Sequence, residues 1–318
     1  MPIGEFELIE RYLSRLGAQR DDVVLGVGDD AALLRPPPGL ELVLAADTIV
    51  EGEHFPAGMA PYDIGHRVLA VNLSDLAAMG AEPAWALLTL TLSRADPEWM
   101  REFASGLHEI ARQHGVALVG GDTTAGPLTA TIAIAGFVPP GQALRRSGAR
   151  PGDEIWVSGT PGDAAAGLQV LLGQLDAPAD VLEPLKQRFC RPEPRIGLGL
   201  VLRGIASACI DISDGLAGDL GKLCAASGVG GDIDSTLLPR SAAIRGAMDP
   251  EAARRVALAG GDDYELLFTL PPGTDAAALE RAAGIAITRI GLVVEGTGVA
   301  VDGEPVEREI GHGFDHFR

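Results

Sequence analysis

Apolar residues recur along this chain at two spacings. At helical spacing they put Phe6, Ile9, Leu13 and Leu16 on one face of Glu5–Leu16. They do the same for Trp99, Phe103, Leu107 and Ile110 within Glu98–His114, where Gly115 fits the C-terminal stop. Ile64–Met79 carries a helical pattern closed by Gly80, and Ala164–Leu175 reads as another helix. Leu216, Leu220, Leu223 and Cys224 share one face of a further amphipathic helix. Strand signals in the first half are Val23–Val27, Leu40–Ala45, Ala84–Leu92, Val116–Val119 and Leu128–Val138. In the second half they are Glu154–Ser158, Cys209–Ile212, Leu266–Leu270 and two short strands within Ile285–Val301. Strands and helices mix without strict βαβ alternation, which predicts an α+β fold and not a doubly wound sheet. Pro139-Pro140-Gly141, followed by Arg145-Arg146-Ser147-Gly148, reads as a linker between residues 1–140 and 141–318.

Composition narrows the class. Apolar residues make up 47% of the 318 residues and charged residues 22%, so the chain has a real core and is not a disordered polymer. Aromatics are only 4%, which leaves the interior to Leu, Val, Ile and Ala. The net charge of −19 repels nucleic acid and anionic membranes, so neither is an expected partner. No apolar run reaches the roughly eighteen residues of a membrane span, and the first residues lack a basic stretch followed by an apolar one. The expectation is a cytoplasmic protein. Cys190, Cys209 and Cys224 are odd in number and isolated, which fits buried thiols better than a disulfide framework or a zinc site.

The acidic residues are patterned. Apolar runs end in small residues and then a carboxylate, at Gly28-Asp29-Asp30, Ala46-Asp47, Gly121-Asp122, Ile210-Asp211 and Gly261-Asp262. Asp75 sits in a helix rich in Leu and Ala, with Asn72 one turn earlier, and Asp211 and Asp214 are spaced to face the same way. Any one of these aspartates could cap a helix or close a turn. As a set beside glycines they resemble hard oxygen ligands, which magnesium takes together with water and substrate phosphates.

Other chemistries find no support. Gly221-Lys222 is followed by Leu223 and lacks the distal glycine of a phosphate-binding loop. Gly26-x-Gly28-x-x-Ala31 imitates a dinucleotide fingerprint, but Asp29 and Asp30 stand where a pyrophosphate would lie. His312 and His316 are four apart, but Gly311 and Gly313 argue against a helical zinc pair, and both read as polar loop residues. Neither a protein-kinase catalytic loop nor a G-x-S-x-G nucleophile motif occurs.

Several motifs together are familiar. Gly26-Val-Gly-Asp-Asp-Ala-Ala-Leu-Leu34, Asp47-Thr-Ile-Val-Glu-Gly-Glu-His-Phe55 and Val71-Asn-Leu-Ser-Asp-Leu-Ala-Ala-Met-Gly80 resemble the thiamine-monophosphate kinase family. So do Gly120-Gly-Asp-Thr-Thr124, Asp211-Ile-Ser-Asp-Gly215, Gly260-Gly-Asp-Asp-Tyr-Glu-Leu266 and Phe314-Asp-His-Phe317, in the family's order along the whole chain. The resemblance extends to aminoimidazole-ribonucleotide synthetases and selenophosphate synthetases. It implies two α+β domains, with residues 1–140 binding ATP and metal and forming a homodimer through the N-terminal sheet, and residues 141–318 completing the site.

It also implies ATP and thiamine monophosphate as small-molecule substrates, several Mg2+ ions, and direct in-line phosphoryl transfer. Carried over by motif, Asp30, Asp47, Asp75, Asp122, Asp211 and Asp214 look like the metal carboxylates. Gly121, Asp122, Arg146 and Ser213 look like ATP contacts, and His54, Asp262 and Phe314 like thiamine-phosphate contacts. The family often has Ser or Thr before the second motif's Asp, where this chain has Ala45 and Ala46; it often has Glu where this chain has Asp262. No dedicated general base is implied, because the acceptor phosphate is already ionised near neutrality. On the residues alone, Arg146 is equally a linker arginine, and Phe314, His54 and Ser213 equally packing or loop residues. A selenophosphate-synthetase-like enzyme is the nearest alternative, though no cysteine precedes Cys190; a non-catalytic ATP- and metal-binding protein is the other.

Overall fold

A computed structural model describes residues 4–306 of the chain. They divide into two compact units. One comprises the chain up to Leu76 together with Ala81–Gly141; the other comprises Ala77–Gly80 and the chain from Gln142 onward.

The first unit opens with α1 (Glu5–Leu8), which runs into a π-helical turn, Ile9–Leu13. The predicted helix to Leu16 is cut short for a visible reason. The chain leaves the helix to hydrogen-bond a strand, with Ala18 N–H donating to Val116 O (2.7 Å) and Leu118 N–H to Leu16 O (3.3 Å). Leu13 and Leu16 stay buried all the same. A small ribbon, β1 (Val23–Leu25) with β2 (Leu33–Leu34), precedes the main sheet. That sheet contains β3 (Glu41–Val50), β4 (Glu82–Leu92), β5 (Ala117–Ala125) and β6 (Thr129–Val138), in the order β3-β6-β4-β5.

Only β4 and β5 are parallel, and α3 (Pro97–Gln113) supplies the crossover that a parallel pair requires. Asp96 caps α3, accepting from the N–H groups of Glu98 and Trp99, with Pro97 in the first turn. α2 (Pro61–Ala78) fulfils the predicted 64–79 helix. It crosses α3 closely: a Cβ on Gly65 would stand 2.0 Å from Phe103 O, and one on Gly106 1.9 Å from Tyr62 O. Val68, Leu69, Leu73 and Leu76 of α2 and Met100, Phe103, Leu107 and Ile110 of α3 are buried. Other apolar residues of the sheet are not. Leu42, Leu44 and Leu87 are 48%, 70% and 44% exposed.

Two expectations are corrected here. β3 does not end at Asp47 and β5 does not end at Gly120-Gly121-Asp122; both continue, so Asp47 and Asp122 lie inside strands. The ladder explains this. Asp47 pairs with Ile132 of β6 and Asp122 with Thr89 of β4, so neighbouring strands hold the backbone extended where local sequence signals a stop.

The second unit holds a seven-stranded sheet. Its strands are β7 (Glu154–Ser158), β8 (Ala208–Asp211), β9 (Gly230–Ile233), β10 (Leu266–Leu270), β11 (Ile287–Val294), β12 (Gly298–Val301) and β13 (Glu304–Pro305). Their order is β13-β12-β9-β11-β7-β10-β8, antiparallel except where β12 runs beside β9. The helices are α4 (Asp163–Leu171), α5 (Ala179–Cys190), α6 (Ile196–Leu202), α7 (Leu216–Ser227), α8 (Ala242–Ala247), α9 (Pro250–Ala259) and α10 (Ala276–Ala283). One side of the sheet packs on α7, bringing Ile155, Val157, Ile210, Leu220, Leu223 and Ile290 into one core. Cys190, Cys209 and Cys224 are buried and form no disulfide. Among the described residues no helix is long and apolar enough to cross a membrane.

Candidate functional site

In the first unit a cavity of about 1290 Å³ has Asp29, Asp30, Gly120, Gly121, Asp122 and Thr123 in its lining, together with mainly apolar residues. The three aspartates are exposed. Asp29 turns Oδ1 back to accept the N–H of Asp30 (2.8 Å), and Asp122 does the same for Thr123 (2.9 Å). Each turn fixes a carboxylate by its own backbone. Gly121 is demanded sterically: its φ is +147°, and a Cβ would lie 1.8 Å from Leu88 O.

Asp47 and Asp75 are organised differently. The N–H of Asp47 donates to Asn72 Oδ1 (2.9 Å), and Asn72 Nδ2 donates in turn to Val68 O (2.9 Å), so the fully buried Asn72 ties β3 to α2. Asp75 lies one helical turn beyond it, half-buried. His54 closes the turn after β3, its Nδ1 accepting the N–H of Val50 (3.1 Å), which leaves the proton of a neutral ring on Nε2. Asp47 and Asp122 stand on opposite edge strands, three strand spacings or about 14 Å apart. They cannot clasp the same ion.

In the second unit, two acidic motifs are stitched together. The N–H of Asp262 donates to Ser213 O, that of Tyr264 to Ile212 O, and that of Ile212 to Glu265 O, each at 2.8 Å. Asp211, Ser213, Asp214 and Asp262 are thereby gathered where β8 ends and β10 begins. Asp262 and Tyr264 both have positive φ (68° and 51°), a cost that surrounding bonds must hold in place. Tyr264 Oη donates to Asp262 Oδ1 at 3.3 Å. Asp211 is buried; Ser213, Asp214 and Asp262 are half-buried. Arg146 is exposed, and its carbonyl accepts from Ser227 Oγ (3.1 Å). Phe314 lies outside the described residues.

Sequence reasoning missed the groups that brace this arrangement. Asp219, almost fully buried, accepts the N–H groups of Ser213 and Asp214 on Oδ2 (both 3.0 Å), while Lys222 Nζ bonds its Oδ1 (2.8 Å) and also Asp214 Oδ2. Burial raises the Asp219 carboxyl above its ordinary value, with Lys222 opposing. Asp263 accepts the N–H groups of Gly162 (2.7 Å) and Ala164 (3.2 Å) at the start of α4, and burial pushes its carboxyl well up. Fully buried Glu265 accepts from Ser158 Oγ (2.5 Å), Arg188 (2.6 Å) and Arg195 (2.6 and 2.7 Å). Burial acts against its charge, but the arginines and Ser158 together hold its carboxyl below the ordinary range. The available signal was spacing, since Asp219 and Lys222 follow Asp214 at five and eight residues on one helix.

The donors suit a hard divalent ion. The cavity lining offers carboxylate, hydroxyl and backbone oxygens, without thiolate or imidazole. Among the described residues no three His, Cys, Asp or Glu side chains form a cage for an ion. Magnesium needs none, since it binds through one or two carboxylates plus substrate phosphates and water.

Residues 28–138 match the family described as AIR synthase related protein, N-terminal domain, and residues 150–304 its C-terminal domain. The chain is 48% identical to the thiamine-monophosphate kinase of Escherichia coli K12 over 324 aligned residues, covering 100% of this chain and 99% of that protein. Its fold is similar to the crystal structure of thiamine-monophosphate kinase from Stenotrophomonas maltophilia K279a, with a TM-score of 0.88 and 47% identity over 96% of this chain and 99% of that one. It is also similar to AaThiL complexed with AMPPCP and TMP, with a TM-score of 0.78 and 33% identity over 92% of each chain.

Proposed function

Because this chain belongs to the thiamine-monophosphate kinase family, we propose to read its acidic site as one for in-line phosphoryl transfer. The protein transfers the γ-phosphoryl group of ATP to the phosphate of thiamine monophosphate, giving thiamine diphosphate and ADP. The observation that carries this reading is full-length identity of 48% to a thiamine-monophosphate kinase, joined to a relative of 33% identity seen with AMPPCP and TMP.

The chemistry sets what the residues must do. The acceptor phosphate oxygen is already ionised near neutrality, so attack needs no strong base; catalysis is positioning and charge stabilisation. Bound magnesium ions would supply the positive charge that lets two anionic substrates meet among carboxylates. Asp30, Asp47, Asp75, Asp122, Asp211 and Asp214 would hold them, in separate positions as the spacing of β3 and β5 requires. Gly121 and Asp122 on β5, with Arg146 and Ser213, would receive the nucleotide. His54, Asp262 and Phe314 would contact the thiamine phosphate. The division at 140 is part of this proposal, with the first portion carrying ATP, metal and self-association.

The test is direct. Purified protein incubated with ATP, Mg2+ and thiamine monophosphate forms thiamine diphosphate and ADP in equal amounts, and a chelator abolishes both. ADP without thiamine diphosphate would move the acceptor to another molecule. ATP binding without ADP would leave a non-catalytic binder.

The homodimer belongs to the same proposal. A second copy would cover Leu42, Leu44 and Leu87, large aliphatic residues left exposed on strands of the N-terminal sheet. Leu44→Asp places a charge there. Sedimentation should show the apparent mass halved for the variant at concentrations where the wild type is dimeric. An unchanged mass would put any interface elsewhere.

A further inference from the structure

Lys222 is one of two lysines in a chain whose other basic side chains, histidine aside, are arginines. It sits in α7 and reaches back to Asp214, eight residues earlier. Its position does not depend on Asp214. Asp219 is clamped through Oδ2 by the N–H groups of Ser213 and Asp214, and it presents Oδ1 to the ammonium at 2.8 Å. Asp219 is 1% exposed, so the ammonium is aimed from a buried, fixed partner. From there it meets Asp214 Oδ2, while Asp214 Oδ1 faces Ser213 Oγ at 3.4 Å. Asp214 itself is 31% exposed and Lys222 38%, so the outer pair is open to solvent and to exchange.

We propose that Lys222 sets the divalent-ion affinity of Asp214 by acting as a built-in monovalent competitor. This rests on the reading of Asp214 as a metal carboxylate. An ammonium bonded to one carboxylate oxygen repels a second cation approaching the same group and withdraws an oxygen from it. A divalent ion arriving with nucleotide phosphates displaces the ammonium from Asp214, and Asp219 retains it nearby. The carboxylate is therefore neutralised when the ion is absent and released when it arrives. Lysine suits this role because its charge is compact and pivots on a flexible stem, whereas a guanidinium fork would hold the carboxylate at two points.

The experiment is a Mn2+ titration of the full-length protein, without nucleotide, following free Mn2+ by electron paramagnetic resonance. Lys222→Met removes the charge and keeps the stem; Lys222→Gln is a second neutral variant should the first fail to fold. One class of Mn2+ sites should tighten about threefold in either, because a part-exposed pair is a modest competitor. Asp214→Asn should lose that class, and Lys222→Met should add nothing to Asp214→Asn. Lys222→Arg, which keeps the charge, should not tighten it. If Asp214→Asn loses a site but the neutral variants bind Mn2+ as the wild type does, Lys222 is only a helix-start brace and the inference is overturned. If Asp214→Asn loses no site and the neutral variants match the wild type, the reading of Asp214 itself has failed, and the inference falls with it.

Discussion

Asp122→Asn should lower kcat by about three orders of magnitude while leaving the fold intact, the scale seen when one preorganised electrostatic contact is removed. The two halves of this prediction have separate causes. The side chain is exposed, and its one fixed contact is Oδ1 accepting the N–H of Thr123. An asparagine Oδ1 accepts the same bond and fills the same volume, so β5 keeps its pairing with β4 and thermal melting should be unchanged. What is lost is the negative charge that would hold a divalent ion against the nucleotide. Asp30→Asn should behave in the same way, since Asp30 lines the same cavity and its own fixed contact is through its backbone N–H to Asp29. Steady-state kinetics with thiamine monophosphate, beside a melting curve, decides the matter. A variant with full activity would remove that aspartate from the metal site.

The sequence made the α+β class and most strands readable because their signals are local. Alternation and apolar runs located Glu154–Ser158 and Leu266–Leu270 to the residue. It stopped being readable where tertiary partners override local preference. Gly120-Gly121-Asp122 has the composition of a turn, yet the β4 ladder carries the strand through it to Ala125. Residues 14–16 look helical, yet the chain turns out to reach Val116 and Leu118. α5 was hidden by Pro184 in its interior, which reads as a breaker. α9 and α10 were available through their caps, Asp249 before Pro250 and Asp275.

The same division holds within the site. The carboxylates stand out because they interrupt apolar runs beside glycines. The groups that support them do not, because a buried ion pair leaves no periodic trace. Nothing near Glu265 in sequence says that it meets Arg188 and Arg195, 77 and 70 residues upstream. For Asp219, the anchor of the Ser213–Asp214 backbone, the spacing from Asp214 is the one trace, and it gains meaning only when the helix turn brings the carboxylate there.

Glu265 carries the largest stability prediction. It is fully buried, bonded by Ser158 and both arginines, and its carbonyl accepts the N–H of Ile212 beside the strained Asp262–Tyr264 segment. Glu265→Ala should cost about 3–5 kcal/mol in denaturant unfolding at neutral pH, because it leaves two guanidinium groups without the carboxylate they surround. Glu265→Gln keeps the shape and tests the charge. The carboxyl is held below its ordinary 4.5 in the folded protein. Its contribution is therefore complete above that ordinary value and is lost as pH falls through the lowered folded one. Wild-type stability should fall more steeply with acid than that of Glu265→Gln, and the two curves should converge from about pH 4.5 downward. Parallel curves would mean that the arginines do not stabilise the charge. The segment it braces also carries Asp262, so in the Gln variant the KM for thiamine monophosphate should rise more than the KM for ATP. Equal rises in both would place the effect of Glu265 on the fold as a whole and not on the strap that presents Asp262.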